Sequence, residues 1–308
     1  MTNTTFTQTR NEIIKSSLRK CRVLAEGEDP TAEMILGGAD ELNSILKFWQ
    51  AQGYHMWKMP EAYLFLEKGK DVYKLGETGD LASDKVKQTR LLYEAYQGTN
   101  QLYMKDNPKA GDFIGIELVC GNIWFTTVAS VSGDLVVLAD NLPNHACHRA
   151  KVFYFSEKIS RPLKILQAKR ERLDGNAIPM NNLEREQFFK LVQHSSGTVL
   201  NYNYVPTLEN GTFSVWPKPS ATDFYVKIIY EQAFEVMDGS KDMPDISPEW
   251  IEPLKWELAY RLSPNYGLDL QEREWLKAQA KDTLDEAQRF DSEEGGFYLQ
   301  LAEYGGAF

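Results

Sequence analysis

Apolar residues recur at helical spacing in four stretches of the chain. Ile13, Ile14, Leu18 and Cys21, with Leu24 and Ala25 beyond, line one face of a segment covering about residues 10–25. Arg10, Lys15, Arg19, Lys20 and Arg22 make its other face basic. Gly27 ends this helix, and Asp29-Pro30-Thr31 starts the next, with Asp29 or Thr31 as the cap. Ile35, Leu42, Ile45, Leu46 and Trp49 line the second helix, which runs to about Gln52 and stops at Gly53. So short a connection predicts an antiparallel helical hairpin. Near the other end, Ser247 is a good N-cap, Pro248 suits the first helical position and Glu249 complements the dipole. Ile251, Leu254, Leu258 and Leu262 follow on one face, and Ser263-Pro264 ends that helix. A fourth helix runs from about Leu270 to Phe290, capped by Asp269 with Glu272 reaching back.

Between these ends the period becomes strand-like. Ala62–Leu66 and Asp71–Leu75 flank Glu67-Lys68-Gly69-Lys70, which reads as a hairpin turn. Residues 77–90 are polar and poorly periodic, the pattern of a loop. Short strands are expected at Gln101–Met104, Asp112–Leu118, Asn122–Val131 and Asp134–Leu138, extended by Val152–Phe155 and Leu163–Ala168. Their spacing predicts a small antiparallel barrel or sandwich. A helix at about Asn182 to Val192 precedes a strand at Thr198–Pro206. Asn210-Gly211 then signals a tight turn with positive φ at both positions. Thr212–Trp216 follows, stopped by Pro217 and Pro219, which cannot extend a ladder. Phe224–Tyr230, bulky on both faces, is the next strand.

Together these elements predict an α+β protein. An α-helical bundle of two N-terminal and two C-terminal helices carries an inserted antiparallel β-rich domain and an extended C-terminal arm. The expected domains are 1–60 and 241–290 for the helical core, 61–240 for the β-rich region with a hairpin over 198–231, and 291–308 for the arm. The arm, DSEEGGFYLQLAEYGGAF, holds two Gly-Gly pairs and does not pattern as a helix. It reads either as a frayed end or as a segment that docks on a neighbouring subunit or partner through its aromatics. Phe290, Phe297, Tyr298, Leu299, Leu301, Tyr304 and Phe308 are its candidate anchors.

Composition narrows the function. A net charge of −10 opposes general binding to nucleic acid, because phosphate repels an acidic chain. Lys164, Lys169, Arg170 and Arg172 form the one noticeable basic cluster and read as a solvated face. No run approaches the ~20 apolar residues of a membrane span, and MTNTTFTQTR lacks the apolar core of a secretory signal. Three cysteines, an odd number, suggest a reducing cytoplasm. Nucleotide-binding, metalloprotease, hydrolase-elbow and CxxC motifs are all missing, so no enzyme, metal or cofactor is expected. Asn144-His145-Ala146-Cys147-His148 is the one local cluster of reactive side chains. It lacks the second ligand pair of a zinc site and the orienting group of a Cys/His nucleophile, and reads as a polar loop. Among the aromatics, Trp49, Trp250 and Trp256 sit on helices and read as core or subunit interface.

Two stretches carry a family resemblance. The first is Val23, Leu24, Ala25, Gly27, Glu28 and Pro30, followed by Leu42, Asn43, Leu46, Trp49 and Gly53. The second holds Asn210, Gly211, Val215, Trp216, Pro217, Pro219, Tyr230, Pro244 and Pro248, then Leu258, Ala259, Arg261, Leu262, Pro264, Tyr266 and Gly267. Phe65, Gly69, Tyr73, Leu75 and Gly76 match an intermediate element. In order and spacing these resemble the head-to-tail adaptor, or head-completion, proteins of tailed bacteriophages. The resemblance implies a structural virion protein at the head–tail junction, assembled in the host cytoplasm. It implies a ring of about twelve copies bound to the portal protein, with a tail or nozzle protein below. DNA would pass through without specific binding, including during ejection. Residues 77–190 depart from the shorter family members, leaving the role of that region open. The competing readings are a carbohydrate-binding or other tail-associated module and a cytosolic enzyme with a site assembled from distant residues.

Overall fold

The computed structural model describes residues 8–52, 54, 60–106, 108–192, 195–232, 237, 239–244 and 246–291. In chain order, α1 (Arg10–Lys20) and α2 (Ala32–Ala51) come first. Strands β1 (Glu61–Phe65), β2 (Val72–Leu75), β3 (Ala82–Ser83), β4 (Lys87–Arg90), β5 (Gln101–Tyr103) and β6 (Phe113–Glu117) follow. Next are β7 (Ile123–Ser132), β8 (Leu135–Leu138), β9 (Lys151–Phe155), β10 (Pro162–Arg172), β11 (Ala177–Pro179) and β12 (Asn181–Asn182). The short α3 (Arg185–Phe189) leads into β13 (Ser196–Gly197), β14 (Asn201–Val205), β15 (Gly211–Trp216), β16 (Lys218–Pro219) and β17 (Phe224–Gln232). Helices α4 (Ile251–Leu262) and α5 (Leu270–Asp291) close the described chain.

This overturns the expectation of a helical bundle with an inserted β domain. Among the described residues, seventeen strands in four sheets stand against five α-helices, and the protein is mainly β. Polar 77–90, expected as a loop, holds β3 and β4, because pairing with β1 and β9 orders segments that lack an apolar pattern of their own. The helix expected over 182–192 shrinks to the five residues of α3.

The chain divides into two compact units, Met1–Trp57 with Phe234–Phe308, and Lys58–Ala233. In the first, the apolar stripes of α1, α2 and α4 make one core. Ile13, Ile14, Leu18, Leu42, Ile45, Leu254 and Leu258 are fully buried in it. Gly38 lets α2 approach α1 closely, since a Cβ there would lie 2.6 Å from Ile14. Thr9 caps α1 in a reciprocal capping box with Glu12. Thr31 caps α2, while Asp29, the other candidate, forms an ion pair with Lys15. Arg10, expected on the basic face, is instead buried and donates to the Met237 carbonyl at 3.1 Å. A 3-10 turn over Pro248–Trp250 precedes α4, which ends at Leu262 before Ser263-Pro264. Asp269 accepts from the Glu272 amide at 2.7 Å at the start of α5.

The second unit pairs its strands over long distances. One sheet runs β11-β10-β17-β1-β3 and another β12-β14-β15-β2. Strands β1 and β2 therefore lie in different sheets, although the turn between them, with Gly69 at φ 79°, reads as a hairpin in sequence. Similarly, β14 and β15 form an antiparallel hairpin while β17 leaves for the other sheet, so no single hairpin covers 198–231. The six-stranded sheet runs β4-β9-β6-β7-β8-β5 with every pair antiparallel. A bridge between Leu91 and Met104, with the Leu92 amide donating to the Tyr103 carbonyl at 2.8 Å, joins its ends into a small barrel. Leu102, Ile114, Ile116, Val128, Val136, Leu138 and Val152 fill that barrel.

Candidate functional site

Part of the sequence pattern converges in the helical unit. Trp49 from α2 meets Trp250, in the turn before α4, edge to face at 5.8 Å, and Tyr54 closes on both at 6.4 and 6.1 Å. Both indoles are only 2% exposed, so these are core residues and not a stacking platform for a ligand. The Asn43 side chain accepts from the Met237 amide at 3.2 Å, tying α2 to the segment before α4. Leu258, Ala259 and Leu262 are buried, and half-buried Tyr266 packs on the same core. Pro264 sits in a 3-10 turn that Gly267 ends in the left-handed conformation at φ 70°, which favours glycine. Gly53 lies outside the described residues.

The remaining pattern residues belong to the β unit. The Trp216 indole donates to the Val192 carbonyl at 2.9 Å. Pro217 follows where the β15 ladder ends, and Pro219 in β16 accepts from the Gly69 amide at 2.9 Å. The expected docking residues Phe297, Tyr298, Leu299, Leu301, Tyr304 and Phe308 lie outside the described residues. Phe290 belongs to the last turn of α5.

Loop Asn144–His148 packs beside the segment after β4. Ala95 and Ala146 form a bridge, and the Val119 amide donates to the His145 carbonyl at 2.8 Å. The His145 ring stacks on Tyr96 at 5.3 Å, with its Nε2 3.5 Å from the Glu94 carboxylate. That distance is too long for a good hydrogen bond, and the contact is an ion pair only when the imidazole is protonated. The Tyr96 hydroxyl donates to Glu94; this bond, followed by the neighbouring histidines, holds the Glu94 carboxyl below its ordinary value. Cys147 is exposed. Among the described residues, no three His, Cys, Asp or Glu side chains converge as metal ligands. His55 and His194 lie outside the described residues. The loop therefore holds a small polar cluster built on Glu94, Tyr96 and His145.

Two surface features were missed in the sequence. Tyr93 and Tyr103 meet edge to face at 5.6 Å beside the barrel, and both are exposed. The second lies in the helical unit. Trp256 of α4 and Trp275 of α5 meet edge to face at 5.5 Å, and the Lys20 ammonium sits 3.7 Å above the Trp256 ring. Lys20 also pairs with Glu252 at 2.6 Å. Burial pushes the Glu252 carboxyl up, but Lys20 and Lys255 outweigh it and leave it below its ordinary value. Beside this cluster runs a groove of about 270 Å³ between the end of α1 and the start of α5. Cys21, Leu268 and Leu276 supply its apolar walls, half-exposed Trp275 one edge, and Lys20 and Arg22 a basic rim. The sequence signal was Trp256 and Trp275 standing off the apolar stripes of their helices, where tryptophan is uncommon.

Among the described residues, no helix is long and apolar enough to cross a membrane. Compared with protein-family models and with curated proteins, the chain matches neither.

Proposed function

We propose that this protein is a structural virion component, a head-to-tail adaptor. Copies form a ring on the portal protein, lengthen the channel through which DNA passes and present a surface to the tail. The reading rests on the resemblance of two stretches far apart in sequence. What supports it is that residues of both stretches pack on each other in one core. Trp49 and Leu46 from the first lie with Trp250, Leu258 and Leu262 around the second. A shared pattern at both ends of a chain has a physical cause when the two ends build one packing unit. An acidic chain, at −10, is also suited to a channel along which DNA must slide without adhering.

The test is the solution mass of the purified full-length protein, alone and with portal rings added. A large closed ring, or a monomer that assembles only on the portal, is expected. A monomer or dimer indifferent to the portal overturns the reading.

A further inference from the structure

In β5, Leu102 is buried in the barrel core, so Gln101 and Tyr103 on either side of it face outward, and both are exposed. The strand register carries that outer face across two more strands. Tyr103 lies opposite Leu135 of β8, and Leu135 opposite Ser132 of β7. Gln101, Val137 and Ser130 form the adjacent row. Ser130 and Ser132 are exposed, while Leu135 and Val137 are half-buried. On the free side of Tyr103, across the seam that closes the barrel, Tyr93 meets its ring edge to face at 5.6 Å and keeps 65% of its surface exposed. The seam holds both rings in place through the Leu91–Met104 bridge and the bond from the Leu92 amide to the Tyr103 carbonyl.

The chemistry of this face selects its occupant. Charged residues make up 25% of the chain, yet none stands at these positions. Nucleic acid draws its affinity from lysine and arginine on phosphate, and the face has neither. Three strands at ~4.8 Å spacing and two rows ~7 Å apart make a patch roughly 10 Å by 7 Å. That is far below the ~800 Å² each partner contributes to a stable protein interface. A neutral sugar chain needs what the face offers. Its polarised C–H groups meet the negative face of an aromatic ring. Its hydroxyls exchange water for amide and hydroxyl partners, and no charge is desolvated.

We propose that this face of the barrel binds a neutral oligosaccharide. One sugar ring stacks at Tyr103 and Tyr93, and Gln101, Ser130 and Ser132 bond the hydroxyls of the next. The face is flat, so it suits an extended chain lying along the sheet and not a single enclosed sugar. This binding is separate from ring assembly, so either can hold or fail without the other.

The test is binding of the full-length protein to immobilised hexasaccharides of glucose and of N-acetylglucosamine, with heparin and oligo(dT) as anionic probes. Binding to at least one neutral hexasaccharide is expected, and none to the anionic probes. Tyr103→Ala and Tyr93→Ala should each weaken it about tenfold by removing a stacking ring, and Tyr103→Phe should keep most of it. Ser132→Arg, at an exposed position, should block the face in a chain whose circular dichroism is unchanged. No binding to any neutral hexasaccharide, or binding that Tyr103→Ala and Ser132→Arg leave untouched, would overturn the proposal. So would oligo(dT) binding or self-association that Ser132→Arg alone removes, since either would give the face to a different partner.

Discussion

Gly211 shows how a residue can be required for a reason other than the one its sequence context suggests. Asn210-Gly211 signals a turn with positive φ, yet neither residue is among those with positive φ, and Gly211 opens β15 opposite Leu75. Its lack of a side chain is what matters: a Cβ would lie 1.9 Å from the Tyr204 hydroxyl oxygen. Gly115 is a second case. It faces Phe125 across β6 and β7, and an added Cβ would lie 2.3 Å from that ring. Phe125 is itself held by Phe65 at 4.5 Å, so the ring has little room to yield. Gly115→Ala should therefore destabilise the protein by about 1–3 kcal/mol in urea unfolding. An unchanged midpoint would mean the ring moves aside freely. Both glycines were visible in the sequence, but the neighbour each accommodates was not, because that neighbour comes from another strand.

At the level of elements, several signals that act within a few residues hold in the structure, although Ser247, expected as the cap before α4, makes no capping hydrogen bond with its side chain. Thr31 at the start of α2, Ser263-Pro264 after α4 and Asp269 at the start of α5 all do what their residue types allow. The Thr9–Glu12 capping box is equally local and lies just before the apolar stripe that begins at Ile13. Its Glu12 carboxylate accepts from the Thr9 amide at 2.8 Å. That bond, then the one with the Thr9 side chain, holds the carboxyl below its ordinary value. Thr9→Ala should cost about 0.5–2 kcal/mol, and Thr9→Ser should restore most of it. Denaturant melts of the two variants would separate a true cap from a passive surface residue, for which both changes would be silent. Strand partners were not legible in this way. The Glu67–Lys70 turn was recognised, but β1 then pairs with β17 and β2 with β15. A turn sets where the chain reverses; which edge each strand joins depends on the faces left to bury.

At the scale of the whole molecule, buried titratable groups should set the alkaline limit of stability. Burial pushes the Cys21 thiol of the helical unit from 9.0 up to about 12. Burial likewise raises the Tyr204 phenol of the β unit from 10.0 to about 12, and raises Tyr73, Tyr202, Tyr225 and Tyr230 in the same direction. The native state thus holds these protons more tightly than the unfolded chain. Their contribution is complete below about pH 9 and is lost as pH rises beyond it. Far-ultraviolet circular dichroism and absorbance at the tyrosinate band, followed together from pH 8 upward, should show this group ionising only as structure is lost. Fifteen tyrosines titrating smoothly near their ordinary value in a folded protein would contradict it.

The same scale separates what each source of information decided. By itself the sequence determined where the four longer helices lie, although the first ends at Lys20 and not near residue 25, together with the run of short strands from Gln101 to Phe155 and the apolar faces that became cores. Those properties follow from side-chain periodicity and backbone chemistry over a few residues. Tertiary structure alone decided that the protein is mainly β and that a six-stranded sheet closes through Leu91 and Met104. It likewise decided that Trp256, Trp275 and Lys20 meet beside an open groove. Each of these depends on contacts between residues distant in the chain, and such contacts are selected by the fit of whole surfaces, which no local pattern encodes.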